Sequence, residues 1–391
     1  MYTKVNISSK ISRRFIAGYP WLFSNELPTQ ALKDLPPGSL ITVMANGTFL
    51  ATGYYNKHSL IAFRALSYQA QQIIDTAFFI EKFSKALLLR ELFFTTPYYR
   101  LIHAEGDALP GLIIDRFNDV FVLQCNTYGI QNLIEPITQA LQSLFAPKTI
   151  LFKNDSPIRL LEQLTETSPV VIGEPLEILT IKENGAHFEL AINHSQKTGW
   201  FYDHAPNRRL IATLSKNKTV LDYFCYSGGF SIQAALAGAK KVIGVDRSAH
   251  AIKNASHAAQ LNGVEQQCTF VCAETFDDMK TRILKQESYD IVILDPPAFV
   301  KVKKDLSAGL KGYEKLLQLG LQLLSPSGIL LIASCSYHVH ESDLRHCLHN
   351  ALHKAKRAGR IACRTPAGMD HPLHPALMES EYLKGFMVVV D

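Results

Sequence analysis

Charged residues are scarce, at 19% of the 391, and although 47% are hydrophobic, no apolar run approaches the ~20 residues of a membrane-spanning helix. A helical membrane protein is excluded. The first residues, Met1-Tyr2-Thr3-Lys4-Val5-Asn6, lack the apolar core and small-residue cleavage site of a secretory signal, so a cytoplasmic location is expected. The seven cysteines are odd in number, scattered and without a Cys-x-x-Cys pair, which argues against a disulfide framework. No Gly-x-Gly-x-x-Gly fingerprint is present, which argues against a bound dinucleotide and a metabolic oxidoreductase. There is no internal repeat and no low-complexity segment. A net charge of +5 suits a polyanionic partner without demanding one.

What is present divides into three regions, in line with the ~100–200 residues of an ordinary domain. Residues 1–71 carry short apolar runs broken by turn signals, and Leu40–Met44 with Thr48–Ala51 around Asn46-Gly47 predict a hairpin in a small β-rich module. Residues 72–185 predict an α+β middle domain, with a helix near 75–93, strands near 99–103, 112–116 and 120–124, a helix near 130–144 and a strand at 149–153. From 186 to 391 strands and helices alternate, which predicts a doubly wound, Rossmann-like α/β domain. Its strands are expected at 220–222, 241–246, 269–272, 291–295, 329–334 and 386–390, and its catalytic residues at their carboxyl ends.

The first turn of this last domain reads Asp222-Tyr223-Phe224-Cys225-Tyr226-Ser227-Gly228-Gly229. Adjacent glycines between strand and helix let backbone pass close to a nucleoside, and Asp246 ends the next strand where a carboxylate accepts from ribose hydroxyls. A ribonucleoside without a diphosphate is implied, and S-adenosylmethionine fits. Asp222, Phe224, Tyr226, Ser227, Gly228 and Gly229 would surround its amino-acid end, Asp246 its ribose and Glu274 its adenine. Alternatively, Asp246 is a helix cap and the glycines serve packing.

Asp295-Pro296-Pro297 and Ser334-Cys335-Ser336 each follow an apolar strand and share one rim of the sheet. Cytosine C5 is too electron-poor to accept a methyl cation directly, so a nucleophile must first add at C6. Cys335 is the candidate nucleophile. Asp295, held by Pro296-Pro297 and close to the cofactor, is the candidate to bind the cytosine N3/N4 edge as charge develops. The competing reading of Cys335 is a small buried residue at a strand end.

For RNA, Lys301, Lys303 and Lys304 are candidate phosphate contacts and Phe299 a candidate stacking platform, with a solvated loop and a packing ring as the alternative. Lys10, Arg13 and Arg14 are further phosphate candidates. His346, His349 and His353 share one face of a late helix, but Cys347 points elsewhere on it, so a hydrated face and no metal site are expected.

The order of these motifs, with Asn193-His194-Ser195-Gln196-Lys197-Thr198-Gly199-Trp200-Phe201-Tyr202-Asp203 and Tyr382-Leu383-Lys384-Gly385-Phe386, resembles the bacterial large-subunit rRNA 5-methylcytosine methyltransferases of the RlmI type over essentially the whole chain. The first module, Arg13-Arg14 through Gly18-Tyr19-Pro20-Trp21-Leu22-Phe23, is similar to that family's PUA module, and Ala104 through Phe117 to its middle domain. A class I methyltransferase domain completes the pattern. The resemblance implies S-adenosylmethionine as donor, a cytosine of 23S rRNA or of a large-subunit assembly intermediate as acceptor, and Cys335 as nucleophile. It also implies that Gln196, Lys197, Thr198 and Gly199 line the cleft, with Lys197 toward a phosphate or the cofactor carboxylate and Thr198 toward the cofactor; Asp203 and Arg208 serve the site or form a structural ion pair. A second copy of the chain is a candidate partner.

Two departures from related patterns matter. Two-cysteine RNA cytosine methyltransferases carry a second Cys where Ala298 stands, which leaves the elimination base unassigned, and Glu274 replaces a more usual Asp. Competing functions are methylation of a guanine or adenine amine, disfavoured because those enzymes usually place an aromatic residue where Ala298 stands, and a non-catalytic RNA-binding assembly factor.

Overall fold

A computed structural model describes residues 2–165, 168–192 and 195–391; Asn193 and His194 of the quoted motif lie outside the described residues. The chain forms two compact units. The first holds Met1–Leu179, Ser195–Tyr202 and Met369–Ser380, and the second Thr180–His194, Asp203–Gly368 and Glu381–Asp391.

In the first unit, β1 (Thr3–Asn6), β2 (Trp21–Leu22), β3 (Ser39–Ala45), β4 (Thr48–Tyr55) and β5 (Phe63–Ser67) form one sheet in the order β1-β3-β4-β5-β2. The predicted hairpin is β3–β4: Ala45 pairs with Thr48, and Asn46 and Gly47 between them both take positive φ, 49° and 80°, the conformation a two-residue turn requires. The parallel strand β1 escapes the sequence reading because four residues with one buried position carry no visible period. A second sheet, order β10-β9-β8-β7-β6, contains β6 (Tyr98–His103), β7 (Leu112–Phe117), β8 (Val120–Cys125), β9 (Thr149–Phe152) and β10 (Val170–Gly173). A helix over Thr76–Glu91 precedes it, its first turn capped by the Asp75 carboxylate, which accepts from the Phe78 amide. The second predicted helix is broken into Tyr128–Gln131 and Ile134–Phe145.

The two sheets of this unit are tied through Glu162. Its carboxylate accepts from Arg64 at 2.8 Å and from Asn56 at 2.8 Å, and both members of the ion pair are buried. Burial alone would raise the Glu162 pKa, but Arg64 and the donors Ser59 and Asn56 outweigh it and hold the carboxyl below its usual range.

The second unit begins with β11 (Ile178–Glu183) and β12 (Ala186–Ala191), a two-stranded sheet. A seven-stranded sheet follows, in the order β15-β14-β13-β16-β17-β19-β18. Its strands are β13 (Thr219–Tyr223), β14 (Lys241–Asp246), β15 (Cys268–Cys272), β16 (Tyr289–Leu294), β17 (Leu324–Ser334), β18 (Gly359–Arg364) and β19 (Lys384–Val390). β13 to β17 run parallel, and β19 is antiparallel to both neighbours. Interior strands such as β16, nearly all buried, read as unbroken apolar runs because helices cover both faces. β18 is an edge strand with alternating burial, and Arg360 and Arg364 hide it from a search for apolar runs. The stretch Ser325-Pro326-Ser327-Gly328 is an irregularity inside β17: Tyr289 pairs with Leu324 but Ile291 with Ile329, and Ser327 takes φ 58°.

Register aligns the carboxyl ends of the central strands. Tyr223 pairs with Val245 on one side and Leu294 on the other, and Leu294 pairs with Ile332. The chain order reverses between β13 and β16, and ligands in such sheets bind at that switch point.

Arg64→Met strands a buried Glu162 carboxylate, so a loss of about 3–5 kcal/mol in urea unfolding is expected, with the double change Arg64→Met/Glu162→Met much milder. Because the folded Glu162 pKa is depressed, the pair's contribution is present above the unfolded pKa and lost as pH falls through the folded one. Equal losses for the single and double variants would contradict this.

Candidate active site

The turn after β13 is built from left-handed residues: Phe224 at φ 62°, Tyr226 at 48° and Gly228 at 80°. Such conformations are costly for bulky side chains and persist where surroundings impose them. Here the Tyr226 amide donates to Asp246 Oδ2 at 3.0 Å and the Ser248 amide to Oδ1 at 2.9 Å. The Asp246 carboxylate is thereby locked in orientation, while each oxygen keeps acceptor capacity for a ligand. Asp222 is buried; its Oδ2 accepts from the Ser231 hydroxyl at 2.6 Å. Among the described residues, buried Asp222 Oδ1 and Ser227 Oγ have no hydrogen-bond partner. Burial is the main cause that pushes the Asp222 carboxyl up to about 7, against the Ser231 bond, and the charge of Asp295 adds to it.

The two glycines have different causes. A Cβ on Gly229 would lie 2.6 Å from the Arg208 Nε, so that position is required by Arg208, whose guanidinium grips both oxygens of buried Glu183 at 2.7 and 2.9 Å. Gly228 is required by its φ. The Arg208–Glu183 pair sets the helix Gly229–Leu236 in place, with Gln233 also donating to Glu183 at 2.7 Å. Arg208 thus has a structural ion-pair partner in Glu183, and Asp203 accepts from the Tyr382 hydroxyl at 2.6 Å.

Asp295 stands just past β16 and has a partner that sequence reasoning missed. His204 Nε2 lies 3.2 Å from Asp295 Oδ1, and His204 Nδ1 lies 3.2 Å from the Asn207 amide. Burial disfavours the imidazolium, but Asp295, with Asp203, more than compensates, so the His204 pKa is raised. The only signal in the sequence is adjacency: His204 directly follows Asp203, the last residue of the motif, and stands far from the late histidines. Those at 346, 349 and 353 are exposed on the helix Glu341–Ala355, and Cys347 is buried away from them.

Cys335 is half-buried at the end of β17, between Ser334 and Ser336, both fully buried. The Tyr313 hydroxyl hydrogen-bonds Ser334 Oγ at 2.8 Å and Ser336 Oγ at 2.9 Å, and the Val300 amide donates to Ser336 Oγ at 3.3 Å. This clasp fixes the backbone on both sides of the thiol. Leu294 pairs with Ile332, so Asp295 and Cys335 leave adjacent strands on the same rim.

The remaining candidates separate. Phe299 packs on Tyr313 with ring centroids 4.8 Å apart, the packing role rather than a free stacking platform. Lys301, Lys303 and Lys304 are exposed, as is Arg13, whereas Arg14 is bound to Glu26 at 2.7 Å and covers the Tyr19 ring. Glu274 is exposed at the start of the helix Thr275–Leu284. Lys197 and Thr198 belong to the first unit. There the Thr198 hydroxyl, buried, donates to Asp115 at 2.5 Å and the exposed Lys197 covers the Phe201 ring.

The second unit fits a nucleoside carrying an amino-acid end. Asp246 is fixed and partly exposed for ribose hydroxyls, and Asp222 and Ser227 present unpartnered polar atoms beneath the Gly228 turn. Comparison with known proteins agrees. A family model described as S-adenosylmethionine-dependent methyltransferase matches residues 163–344, and a PUA-like domain model matches 5–68. A solved methyltransferase complexed with S-adenosylhomocysteine superposes with TM-score 0.84 at 22% identity, covering 99% of this chain and 100% of that one. One from Streptococcus mutans gives 0.83 at 22%, with the same coverage. Among curated proteins, "Ribosomal RNA large subunit methyltransferase I" of Tolumonas auensis is 32% identical over 99% of both chains, and that of Aeromonas hydrophila 34% over 95% of both. The expected PUA-like module, Rossmann-like domain and S-adenosylmethionine dependence are borne out, and the chain belongs to the ribosomal RNA large subunit methyltransferase I family.

Proposed function

We propose that this protein methylates C5 of a cytosine in 23S ribosomal RNA, free or in a large-subunit assembly intermediate, through a covalent bond between Cys335 and C6. The relatives' names support the rRNA substrate. The observation that carries the chemistry is the half-buried Cys335, clasped through Ser334 and Ser336 by Tyr313 one strand from Asp295. A buried structural cysteine needs neither partial exposure nor such a clasp.

S-adenosylmethionine, when bound, supplies an electrophilic methyl group. Asp222, Ser227 and the Gly228 turn would hold its amino-acid end, Asp246 its ribose and Glu274 its adenine. The thiolate of Cys335 adds to C6, and the displaced electron pair makes C5 nucleophilic. Asp295 passes a proton from His204 to cytosine N3 as negative charge develops there, so the ring is neutralised while C5 reacts. Afterwards the C5 proton leaves to a base, the C5–C6 double bond re-forms as the thiolate departs, and N3 returns its proton through Asp295 to His204. The exposed Lys301, Lys303 and Lys304 are proposed to hold phosphates beside a base turned out of its stack, and the exposed Arg13 of the first unit is proposed as a further phosphate contact.

RNA carrying 5-fluorocytosine should trap a denaturation-resistant complex with the wild-type chain and none with Cys335→Ala, because fluorine cannot leave C5 as a proton does. A trapped complex with Cys335→Ala, or unchanged bisulfite protection of every 23S rRNA cytosine in a strain lacking the gene, overturns the proposal. Asp295→Asn should lower kcat by roughly 10²–10⁴ while leaving S-adenosylhomocysteine affinity within a few-fold.

Asp222 makes cofactor binding pH-dependent. Its carboxyl titrates at about 7, and a ligand ammonium pairs only with the ionised form, so affinity should rise as pH rises through that value and then level. Calorimetry of S-adenosylhomocysteine binding should show up to about tenfold per pH unit on the rising limb, and Asp222→Asn should flatten it. The same slope in Asp222→Asn would assign the titration to another group.

A further inference from the structure

The Tyr382–Phe386 segment contains a buried lysine to which the proposed chemistry assigns no task. Lys384 begins β19, directly opposite Ser334 in the antiparallel β17–β19 ladder. Its side chain is 7% exposed and reaches past the strand end to donate from Nζ to the Ser336 carbonyl at 3.0 Å. Its hydrogen-bond partner and its ladder partner are therefore the two residues that flank Cys335. Among the described residues Lys384 forms no ion pair. A buried ammonium without a carboxylate is expensive and is kept where an anion appears during function.

We propose that Lys384 is a positioning residue for Cys335: its ammonium holds the thiol as thiolate before attack and again when the thiol is expelled. The proton lost from Sγ goes to solvent, and Nζ keeps its own. Cationic neighbours are a general means of lowering a thiol's pKa. Burial holds the Lys384 pKa below the usual lysine range, and three groups oppose it, Cys335 most, then Glu381 and Asp343. The thiolate and the ammonium thus stabilise one another, which is a coupled titration of the pair. This inference rests on Cys335 being the nucleophile.

The test is the pH dependence of Cys335 alkylation by iodoacetamide in the full chain, read on the Cys335 peptide by mass spectrometry because Cys272 is exposed and Cys268 and Cys363 are half-buried. Lys384→Gln, which retains a donor for the Ser336 carbonyl, should move the titration up by about one pH unit or more, slowing alkylation about tenfold near pH 7. Lys384→Arg should stay near wild type. S-adenosylhomocysteine binding at wild-type affinity certifies that each variant is folded; if Lys384→Gln fails that check, Lys384→Met replaces it. A wild-type curve in the neutral variant, or an Arg variant shifted as far as the neutral one, overturns the proposal. Failure of the underlying reading looks different: wild-type chain would trap no 5-fluorocytosine RNA, whatever the thiol titration shows.

Discussion

One rim of the second sheet gathers three carboxylates, Asp222, Asp246 and Asp295, because parallel register brings the ends of β13, β14 and β16 level. Burial and the charge of Asp295 oppose an ionised Asp222. The three are placed differently. Asp246 accepts from two backbone amides, Asp295 faces His204, and Asp222 retains its proton up to about 7. These three settings make three chemically distinct groups out of one residue type. A fixed acceptor suits hydroxyls, a carboxylate coupled to imidazole suits proton transfer, and a carboxyl poised near neutrality responds to a cationic ligand.

The supporting contacts follow from that arrangement. Asp246 keeps its orientation only if the turn Phe224–Gly228 holds its left-handed residues, and that turn leads into a helix anchored by Arg208 on Glu183. Arg208 in turn excludes any side chain at residue 229. Glycine at 228 and 229 therefore records a strained turn and a buried guanidinium.

Most of the second unit was legible in its residues because parallel strands under two helical layers must be continuous apolar runs, as Ile291–Leu294 and Ile329–Ala333 are. Strand-terminal Asp246, Asp295 and Cys335 could be placed on one rim from order alone. His204 could not: its role depends on a helix start that delivers an imidazole to Asp295 from outside the sheet, and no periodicity encodes that. Arg14 and Phe299 have partners of another kind. Both looked like nucleic-acid contacts by residue type, yet Arg14 is occupied by Glu26 and Phe299 by Tyr313, partners invisible before the chain is folded. Lys384 does not stand out in the sequence, since burial is what distinguishes it from most other lysines.

Ala298 gives the thiol's surroundings their significance. Where a second cysteine is present it assists release of the product; with alanine there, the mechanism we propose requires Cys335 both to attack and to leave without a second thiol. A thiol of lower pKa attacks more weakly per thiolate, with a Brønsted slope of about 0.4–0.5, but more of it is ionised at neutral pH and it departs faster. A cation beside the sulfur therefore favours the two demands together. The clasp of Tyr313 on Ser334 and Ser336 adds the geometric part: in the proposed mechanism the sulfur that leaves C6 stays where it attacked, and its departure depends on thiolate stability. On this reasoning a single-thiol enzyme needs a stabilised leaving group more than a stronger nucleophile, and Lys384, donating to the Ser336 carbonyl, is the buried cation placed to provide it.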